Sequence, residues 1–455
     1  MKIIHPAINI AEIHLGNQCF VNYTNEYRMI KYCILKETKD GMLLYHTVTK
    51  EMVFLNDKEI TDLQNDMLKL RKQEVSDFTF NENFTELVKH WFLVPYDFDD
   101  KVFSDKFKID MNALRTQKNI TQYLIFTTTD CNAHCYYCFE NKDVIYMDKS
   151  VGDSAILFIV SNYKQQEIVL KWFGGEPLLN YSIITYICRK LLDLGILFKS
   201  YIITNGYLFN DEIINIARKV WNLEHVQISM DGTYRYYNKC KGYDKVEDDN
   251  PFNQVIENIK RLIECDIYVS VRLNLGIDNY EELCSLVLLL KEEIPIRTHL
   301  KFTIGLLNGI YKEKNIDLRY NHYAEFNQLA IFLEKMGFST AQHLKRGIYF
   351  NKCMADSDDS ITILPDGSLG KCEYYTNKFT VGHVLSPHII KSEIEKWKEI
   401  SEYGELCINC PLYPECVLLK RCPTKLLPCD FIEQKSLIKQ KQRDMMKTYR
   451  HFENK

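Results

Sequence analysis

From about residue 123 onward, short runs of apolar and β-branched residues alternate with longer segments in which apolar residues recur at helical spacing. The helical pattern is clear at 182–195, 211–221 and 281–293, and the short runs occupy residues 123–129, 168–173, 201–205, 225–230, 267–275 and 299–306. Strands that are apolar along almost their whole length and alternate with helices are typical of buried parallel strands in right-handed βαβ units. The pattern predicts an α/β unit of six repeats, arranged as an open or partial (β/α)6 barrel.

The residues on either side of this unit follow different patterns. Residues 31–57 predict strands joined by an Asp-Gly turn, and residues 59–72 and 84–92 carry apolar residues at helical spacing. After about residue 344 the repeat is lost, and the sequence becomes rich in cysteine, with glycine and proline in between. We therefore predict three units. Residues 1–112 form a small α+β domain, residues 113–343 form the barrel, and residues 344–455 form a cysteine-rich unit that bound metal stabilises.

The composition narrows the class of protein. The chain has 455 residues, of which 46% are hydrophobic and 26% charged, and its formal net charge is −4. We expect no nucleic-acid partner and no membrane, because there is no basic field and no apolar stretch of about 18 residues. No secretory signal pattern is evident, so we expect a cytoplasmic protein. Sixteen cysteines in a compartment that keeps thiols reduced indicate metal binding rather than disulfides.

Three cysteines follow the first predicted strand directly. Cys131, Cys135 and Cys138 have the spacing C-x3-C-x2-C. Three thiolates leave one iron of a 4Fe-4S cluster without a protein ligand, so an exogenous molecule can bind there. The alternative is zinc, for which His134 could supply a fourth ligand. Because ligands gather at the carboxyl ends of strands in parallel α/β folds, we expect residues after the later strands to contribute to the same site.

The later strand ends carry further motifs. They read Trp-Phe-Gly-Gly-Glu-Pro at 172–177, Thr-Asn-Gly at 204–206 and Ser-Met-Asp-Gly at 229–232. Together with the cysteine spacing, these motifs resemble the radical S-adenosylmethionine (SAM) superfamily. The resemblance implies a radical SAM barrel in which Cys131, Cys135 and Cys138 ligate one SAM-binding 4Fe-4S cluster. It also implies SAM contacts from Tyr137, Gly174, Gly175, Glu176, Asn205, Ser229, Lys241, Arg272 and Asn274.

Several of these positions have open alternatives. Lys241 stands where related enzymes often have arginine, and lysine cannot reproduce the bidentate contact of a guanidinium. Arg272 and Asn274 share one strand face, which we expect to line the barrel; a buried arginine there needs an anionic partner, either the SAM carboxylate or a structural carboxylate. Tyr137 is either an adenine contact or a packing residue. Asp231 is the candidate catalytic residue, a carboxylate that handles a proton, and its alternative role is to cap the following helix.

The C-terminal unit holds seven further cysteines. Their density indicates metal sites, with two zinc sites as the alternative to iron–sulfur clusters. The pattern resembles the SPASM extension of radical SAM enzymes, which implies two auxiliary 4Fe-4S clusters. Matching positions give one cluster the ligands Cys407, Cys410, Cys416 and Cys429, and the other cluster the ligands Cys353, Cys372 and Cys422. The second set has three thiolates, and the gap between Cys416 and Cys422 is longer than is usual in the family.

The resemblance also implies a class of substrate. SPASM-type enzymes mostly act on peptides, and the first 112 residues resemble the winged-helix-like recognition element of peptide-modifying enzymes, which binds a leader peptide at a sheet edge. We therefore expect hydrogen abstraction from a ribosomally made precursor peptide, with a thioether as the leading cross-link and a flavodoxin or ferredoxin as the electron donor. The alternatives are an anaerobic sulfatase-maturating type of enzyme that oxidises Cys or Ser to formylglycine, a radical SAM enzyme for a small molecule, and a non-enzymatic zinc scaffold.

Overall fold

The structure is a computed structural model of the chain. It describes residues 1–7, 26–71, 81–105, 119–140, 143–243, 250–294, 298–307, 310–311, 316–317, 323–338, 344, 354–356, 358–373, 380–386, 389–398, 405–415 and 431–454. Within these ranges, no helix is both long and apolar enough to cross a lipid bilayer.

The described residues among the first 95 form a small α+β unit. Its elements are β1 (Lys2–His5), β2 (Tyr27–Met29), β3 (Cys33–Glu37), β4 (Gly41–His46), β5 (Met52–Asn56), α1 (Asp57–Arg71), α2 (Glu82–Lys89) and β6 (Leu93–Pro95). Four strands make an antiparallel sheet in the order β1-β5-β4-β3, and β2 pairs with β6. Apolar residues of β4 and β5 pack against both helices. Val53 of β5, for example, belongs to the same buried cluster as Phe84 and Leu87 of α2. The strands and helices predicted in this region are confirmed, and the winged-helix topology stays a prediction.

The central unit alternates strands and helices as the hydrophobic pattern predicts. Six parallel strands lie side by side in chain order, and their bounds are β7 (Gln122–Thr128), β8 (Ile168–Gly174), β9 (Phe198–Thr204), β10 (Leu223–Met230), β11 (Tyr268–Leu275) and β12 (Leu300–Leu306). The helices between them are α3 (Lys149–Asn162), α4 (Tyr181–Asp193), α5 (Asp211–Lys219), α6 (Tyr234–Lys241), α7 (Pro251–Glu264) and α8 (Tyr280–Glu293), with a 3-10 turn at Pro177–Asn180.

The two faces of these strands differ in burial. Along β8 and β9, fully buried residues alternate with half-buried ones. The buried positions, such as Trp172, Ile202 and Val226, join the large apolar core beneath the helices. The alternate positions face the barrel interior, and they remain partly accessible because the sheet order is linear and the described strands do not close into a ring. This agrees with the predicted open barrel and leaves its interior accessible to ligands.

The C-terminal residues extend the same sheet. The barrel is followed by β13 (Ile310–Tyr311), β14 (Ile316–Asp317), α9 (Tyr323–Lys335), β15 (Ser360–Ile363), β16 (Ser368–Gly370), β17 (Gly382–His383), α10 (Lys391–Lys398), α11 (Glu405–Ile408) and α12 (Phe431–Glu453), with 3-10 turns at Met354–Asp356 and Tyr413–Glu415. Strand β15 pairs in parallel with β7, and β16 and β17 follow as antiparallel neighbours. The third unit therefore shares backbone hydrogen bonds with the barrel.

Buried charges join the first and last parts of the chain. The Glu415 carboxylate lies 2.9 Å from Lys50 Nζ and 2.7 Å from Lys441 Nζ, and it also accepts a hydrogen bond from the Tyr45 hydroxyl. Burial alone would raise the pKa of Glu415, but the two ammonium groups lower it to about 2. The N-terminal sheet is thus fixed to α12 and to the turn that follows Cys410 through this ion-pair cluster.

Candidate active site

The cysteine loop lies at the carboxyl end of β7, where the sequence predicts it. Within the loop, the Ala133 N–H points to Cys131 Sγ at 3.4 Å, and the Cys138 N–H donates to the Cys135 carbonyl at 3.1 Å. The His134 N–H donates to the Lys241 carbonyl at 2.7 Å, which holds the loop against the end of α6. The three thiols are thereby presented from one short, backbone-braced loop.

The thiols fit an iron–sulfur cluster in chemistry. Burial raises the pKa of Cys131 and Cys135, and it raises the pKa of Cys138 to about 11. Deprotonated thiolates therefore need a bound cationic centre, and soft thiolates are the ligands that iron–sulfur clusters use. Among the described residues, no three His, Cys, Asp or Glu side chains come close enough to share a single metal ion.

The Gly174–Gly175 pair at the end of β8 packs with its backbone directly against the backbone at the start of the cysteine loop. The Gly175 N–H donates to the Thr128 carbonyl at 3.0 Å, and the Glu176 N–H donates to the Asp130 carbonyl at 2.8 Å. A Cβ atom at Gly174 would lie 2.1 Å from the Thr128 oxygen, and one at Gly175 would lie 2.2 Å from the Asp130 oxygen. Only glycine allows this approach, so the two loops are set against each other by the motif.

Glu176 is fully buried and connects β8 to β9. Its carboxylate accepts hydrogen bonds from the Thr204 hydroxyl at 2.8 and 2.9 Å, from the Asn205 N–H at 2.9 Å and from the Leu178 N–H at 3.1 Å. Burial raises the pKa of Glu176 to about 7, although these donors oppose the shift. The carboxylate thus fixes the loop after β9, and Asn205 Nδ2 from that loop reaches Asn132 Oδ1 in the cysteine loop at 2.7 Å.

A second polar network surrounds Lys241. Its Nζ donates to Ser229 Oγ at 2.8 Å and to the Tyr137 hydroxyl at 3.2 Å, and it lies 3.2 Å from Asp231 Oδ2. Asn274 Nδ2 donates to the Tyr137 hydroxyl at 3.1 Å and to Asp231 Oδ1 at 3.3 Å. Burial alone would lower the pKa of Lys241, but Asp231 and Cys135 raise it, so the ammonium form is retained. The two networks bring together every predicted SAM contact except Arg272.

Expectations for Arg272 and Asp231 change, and the structure adds contacts for Tyr137. Arg272 is exposed on β11, so the argument from a buried arginine does not hold for it. The residue before α6 is Thr233, whose N–H and hydroxyl bond to Glu282, so Asp231 does not cap that helix. Tyr137 is a member of the polar network through its hydroxyl, and burial together with Asp231 raises its pKa well above the usual value.

The auxiliary cysteines are described only in part. Cys372 is buried directly after β16, and Cys407 and Cys410 lie half-buried at the turn that packs on Tyr32 and Val48 of the N-terminal unit. Cys353, Cys416, Cys422 and Cys429 lie outside the described residues. The assignment of these seven cysteines to two clusters stays a prediction.

Sequence reasoning missed several residues that build the site. Asn279 donates to the carbonyls of Asp231 and Asn274 at 2.7 and 2.8 Å, and buried Asn258 donates to the Gly206 carbonyl at 2.9 Å. Asn132 was passed over although it stands beside Cys131, and Thr204 was named only as part of the Thr-Asn-Gly motif, without a role of its own. A buried Asn within an apolar helix pattern, as at Asn258, is the one signal in the sequence that could have indicated such a bond.

Residues 125–290 match the family model of the radical SAM superfamily. The chain therefore contains a radical SAM domain, and its largely parallel sheet has the radical SAM α/β fold.

Two curated relatives share part of the sequence. The chain is 22% identical over 283 residues to the radical SAM cyclopropyl synthase TigE of Paramaledivibacter caminithermalis. This alignment covers 57% of this chain and 56% of that protein. It is also 34% identical over 116 residues to an uncharacterized protein of Methanocaldococcus jannaschii. That alignment covers 24% of this chain and 39% of the relative. The chain thus spans about half or less of the length of these relatives.

Two solved structures share the fold. The structure of anSMEcpe with bound AdoMet superposes with a TM-score of 0.54 at 16% identity, covering 73% of this chain and 100% of that one. Streptococcus suis SuiB bound to S-adenosylmethionine superposes with a TM-score of 0.53 at 15% identity, covering 89% of this chain and 98% of that one.

Replacement of Gly175 by alanine should push the two loops apart, because its Cβ would meet the Asp130 carbonyl. We expect a stability loss of about 1–3 kcal/mol in urea unfolding and a lower iron content after anaerobic reconstitution. Gly276→Ala is the matched control, since a Cβ there meets its nearest atoms at 3.6 Å. Equal iron content in the two variants would contradict the close-approach argument.

The pKa of Glu176, raised to about 7 from 4.5, makes stability depend on pH. The folded state binds this proton more tightly than the unfolded state, so the contribution is complete below about pH 4.5 and is lost as the pH rises through about 7. Between these values, the unfolding free energy of the cluster-free protein should fall by on the order of 3 kcal/mol relative to Glu176→Gln. The exposed Glu212→Gln should keep the wild-type profile in urea titrations, and parallel profiles for the wild type and Glu176→Gln would refute the assignment.

Proposed function

We propose that this chain is a radical SAM enzyme that modifies a ribosomally made precursor peptide. The observation that carries the proposal is that the cysteine loop, buried Glu176 and the Lys241–Asp231 pair lie together at the carboxyl ends of neighbouring parallel strands. Ligands of parallel α/β folds bind at this end.

The proposed cofactors are one SAM-binding 4Fe-4S cluster, two auxiliary clusters and SAM. Cys131, Cys135 and Cys138 would hold the first cluster. The cluster would supply the one-electron reduction that splits bound SAM into methionine and a 5′-deoxyadenosyl radical, and a flavodoxin or ferredoxin would deliver the electron. Auxiliary clusters would be held by Cys353, Cys372, Cys407, Cys410, Cys416, Cys422 and Cys429.

The chain's own residues would bind and orient SAM. Gly174 and Gly175 bring their backbone close to the cysteine loop, which would hold that loop in place for the cluster. Glu176 acts mainly as a positioning residue, because its oxygens already accept hydrogen bonds from Thr204, Asn205 and Leu178. Polar contacts to SAM would come from Asn205, Ser229, Asn274 and Arg272, whose guanidinium is exposed and therefore free to approach a ligand carboxylate.

Lys241 and Asp231 play different parts in this proposal. Lys241 is occupied by three described partners, so it would hold Tyr137 and Ser229 in place rather than bind SAM by itself. Asp231 would handle a proton during the reaction, with Lys241 stabilising its carboxylate. The Asp231 carboxylate lies beside the Lys241 ammonium group and accepts one hydrogen bond from the Asn274 amide, which orients it for this role.

A peptide substrate is supported by the kind of proteins that share the fold. SuiB has been crystallised with precursor peptide SuiA, and anSMEcpe with AdoMet and the Cp18Cys peptide. We propose that the four-stranded N-terminal sheet binds the leader by adding a strand at one edge, where β1 and β3 are the outer strands. The proposed product is a thioether, since an auxiliary cluster with three protein thiolates would leave an iron for a substrate thiolate.

Alanine replacement of Cys131, Cys135 and Cys138 together should remove the SAM-binding cluster. We expect a loss of about four irons per chain and a fall of 5′-deoxyadenosine formation to background, measured anaerobically with SAM and dithionite. Cys284→Ala, at a buried thiol on α8 outside the site, is the control and should keep both. Undiminished SAM cleavage in the triple variant would refute the cluster assignment.

The substrate is tested with short peptides encoded beside this gene. The precursor that is modified should lose two hydrogens, about 2 Da, when incubated with enzyme, SAM and reductant, as a cross-link requires. A thioether should in addition remove one alkylatable cysteine, measured by iodoacetamide labelling and fragmentation. Unchanged mass despite 5′-deoxyadenosine release would count against cross-linking of that peptide.

A further inference from the structure

A groove that is lined by none of the candidate-site residues carries several cationic side chains. It lies between α9 and α12, beside strand β3, and encloses about 590 Å³. Five cations line it, and among the described lining residues one carboxylate, Glu334, opposes them; the cations are Lys36, Lys439, Arg443, Lys447 and Arg450. A concentration of positive charge on a chain with net charge −4 is a local feature and does not follow from overall composition. We call it the cationic groove.

Arg443 sits inside the groove with an unused donor. Its Nη1 donates to Asn327 Oδ1 at 2.9 Å, while its buried Nε has no hydrogen-bond partner in the described part of the chain. Burial lowers the pKa of Arg443, although the nearby Glu334 and Asp444 oppose the shift. A buried, unpaired guanidinium N–H is costly, and an anionic group in the groove would satisfy it.

The spacing of the cations indicates what kind of anion fits. Lys439, Arg443 and Lys447 succeed one another at four-residue intervals on one face of α12, which places them about 6 Å apart along the helix axis. Alternate side chains of an extended peptide are about 6.6–6.8 Å apart on one face. The stripe from Lys439 to Arg450 extends about 16 Å, which is longer than a single small anion needs.

We propose that the cationic groove binds an acidic, extended segment of the peptide substrate, with carboxylates at alternate positions facing α12. This rests on the proposed function, because it names the part of the enzyme that selects the peptide. The groove lies next to β3, whose Leu35 carbonyl accepts a hydrogen bond from Gln442 of α12 at 2.7 Å. A peptide bound there would therefore lie against both the outer strand of the N-terminal sheet and the C-terminal helix.

The test uses the full-length protein with its clusters but without SAM, so binding is measured apart from turnover. The probe is a fluorescein-labelled peptide of alternating Glu and Thr, compared by anisotropy with its Gln-for-Glu counterpart. Lys439→Glu/Arg450→Glu reverses two exposed charges of the groove and should weaken binding of the Glu peptide by roughly tenfold. Lys164→Glu/Lys219→Glu makes the same charge change at exposed positions outside the groove and should bind like the wild type.

Each other outcome overturns the proposal. Equal affinity of the two double variants, or of the Glu and Gln peptides, would show that the cationic groove does not bind peptide carboxylates selectively. Tighter binding of a single-stranded oligonucleotide, lost in the groove variant alone, would assign the groove to nucleic acid instead. SAM cleavage without peptide should be unchanged in the groove variant, so a failure here is distinguishable from a failure of the radical SAM function.

Discussion

A buried ion pair between Lys241 and Asp231 is the constraint on which the candidate site depends. Removing two charges from water is expensive, and such a pair is stable only when further hydrogen bonds satisfy both partners. Here Lys241 donates to Ser229 and Tyr137, and Asn274 donates to Asp231 Oδ1, so β10, β11, the end of α6 and the cysteine loop are held by one set of contacts. Asp231 Oδ2 faces the Lys241 ammonium group, so loss of either charged residue would leave the other charge unpaired in the interior.

The same principle operates at two other places. Glu176 links the loops after β8 and β9, and Glu415 links the N-terminal sheet to α12. The two carboxylates differ in their neighbours. Burial raises the pKa of Glu176 because its hydrogen-bond donors and the charge of Lys241 oppose the shift only in part, whereas two lysines in contact with Glu415 lower its pKa despite burial. The same residue type is thus easily neutralised in the barrel and strongly acidic beside the N-terminal sheet.

Much of the fold follows from the sequence because hydrophobic periodicity is a local property. The six parallel strands and the residues at their ends could be predicted, since parallel βαβ units place those ends together. The pairing of β15 with β7 could not, because a four-residue strand in a cysteine-rich segment carries too little periodicity to reveal its neighbour. The exposure of Arg272 was missed for a related reason: alternation fixes the strand face, but how far a barrel opens depends on the whole sheet. Hydrogen-bond partners such as Asn258 and Asn279 depend on contacts between distant segments, which a motif does not specify.

Strand β15 has a mechanical consequence for the two cysteine-bearing regions. Cys131 follows β7 and Cys372 follows β16, and β15 alone separates those two strands in the sheet. Their separation is set by consecutive ladders of amide-to-carbonyl bonds and not by a tether. A hinge at this position would have to break several of these hydrogen bonds at once. The parallel sheet of the barrel and strands β15 and β16 are therefore expected to move together.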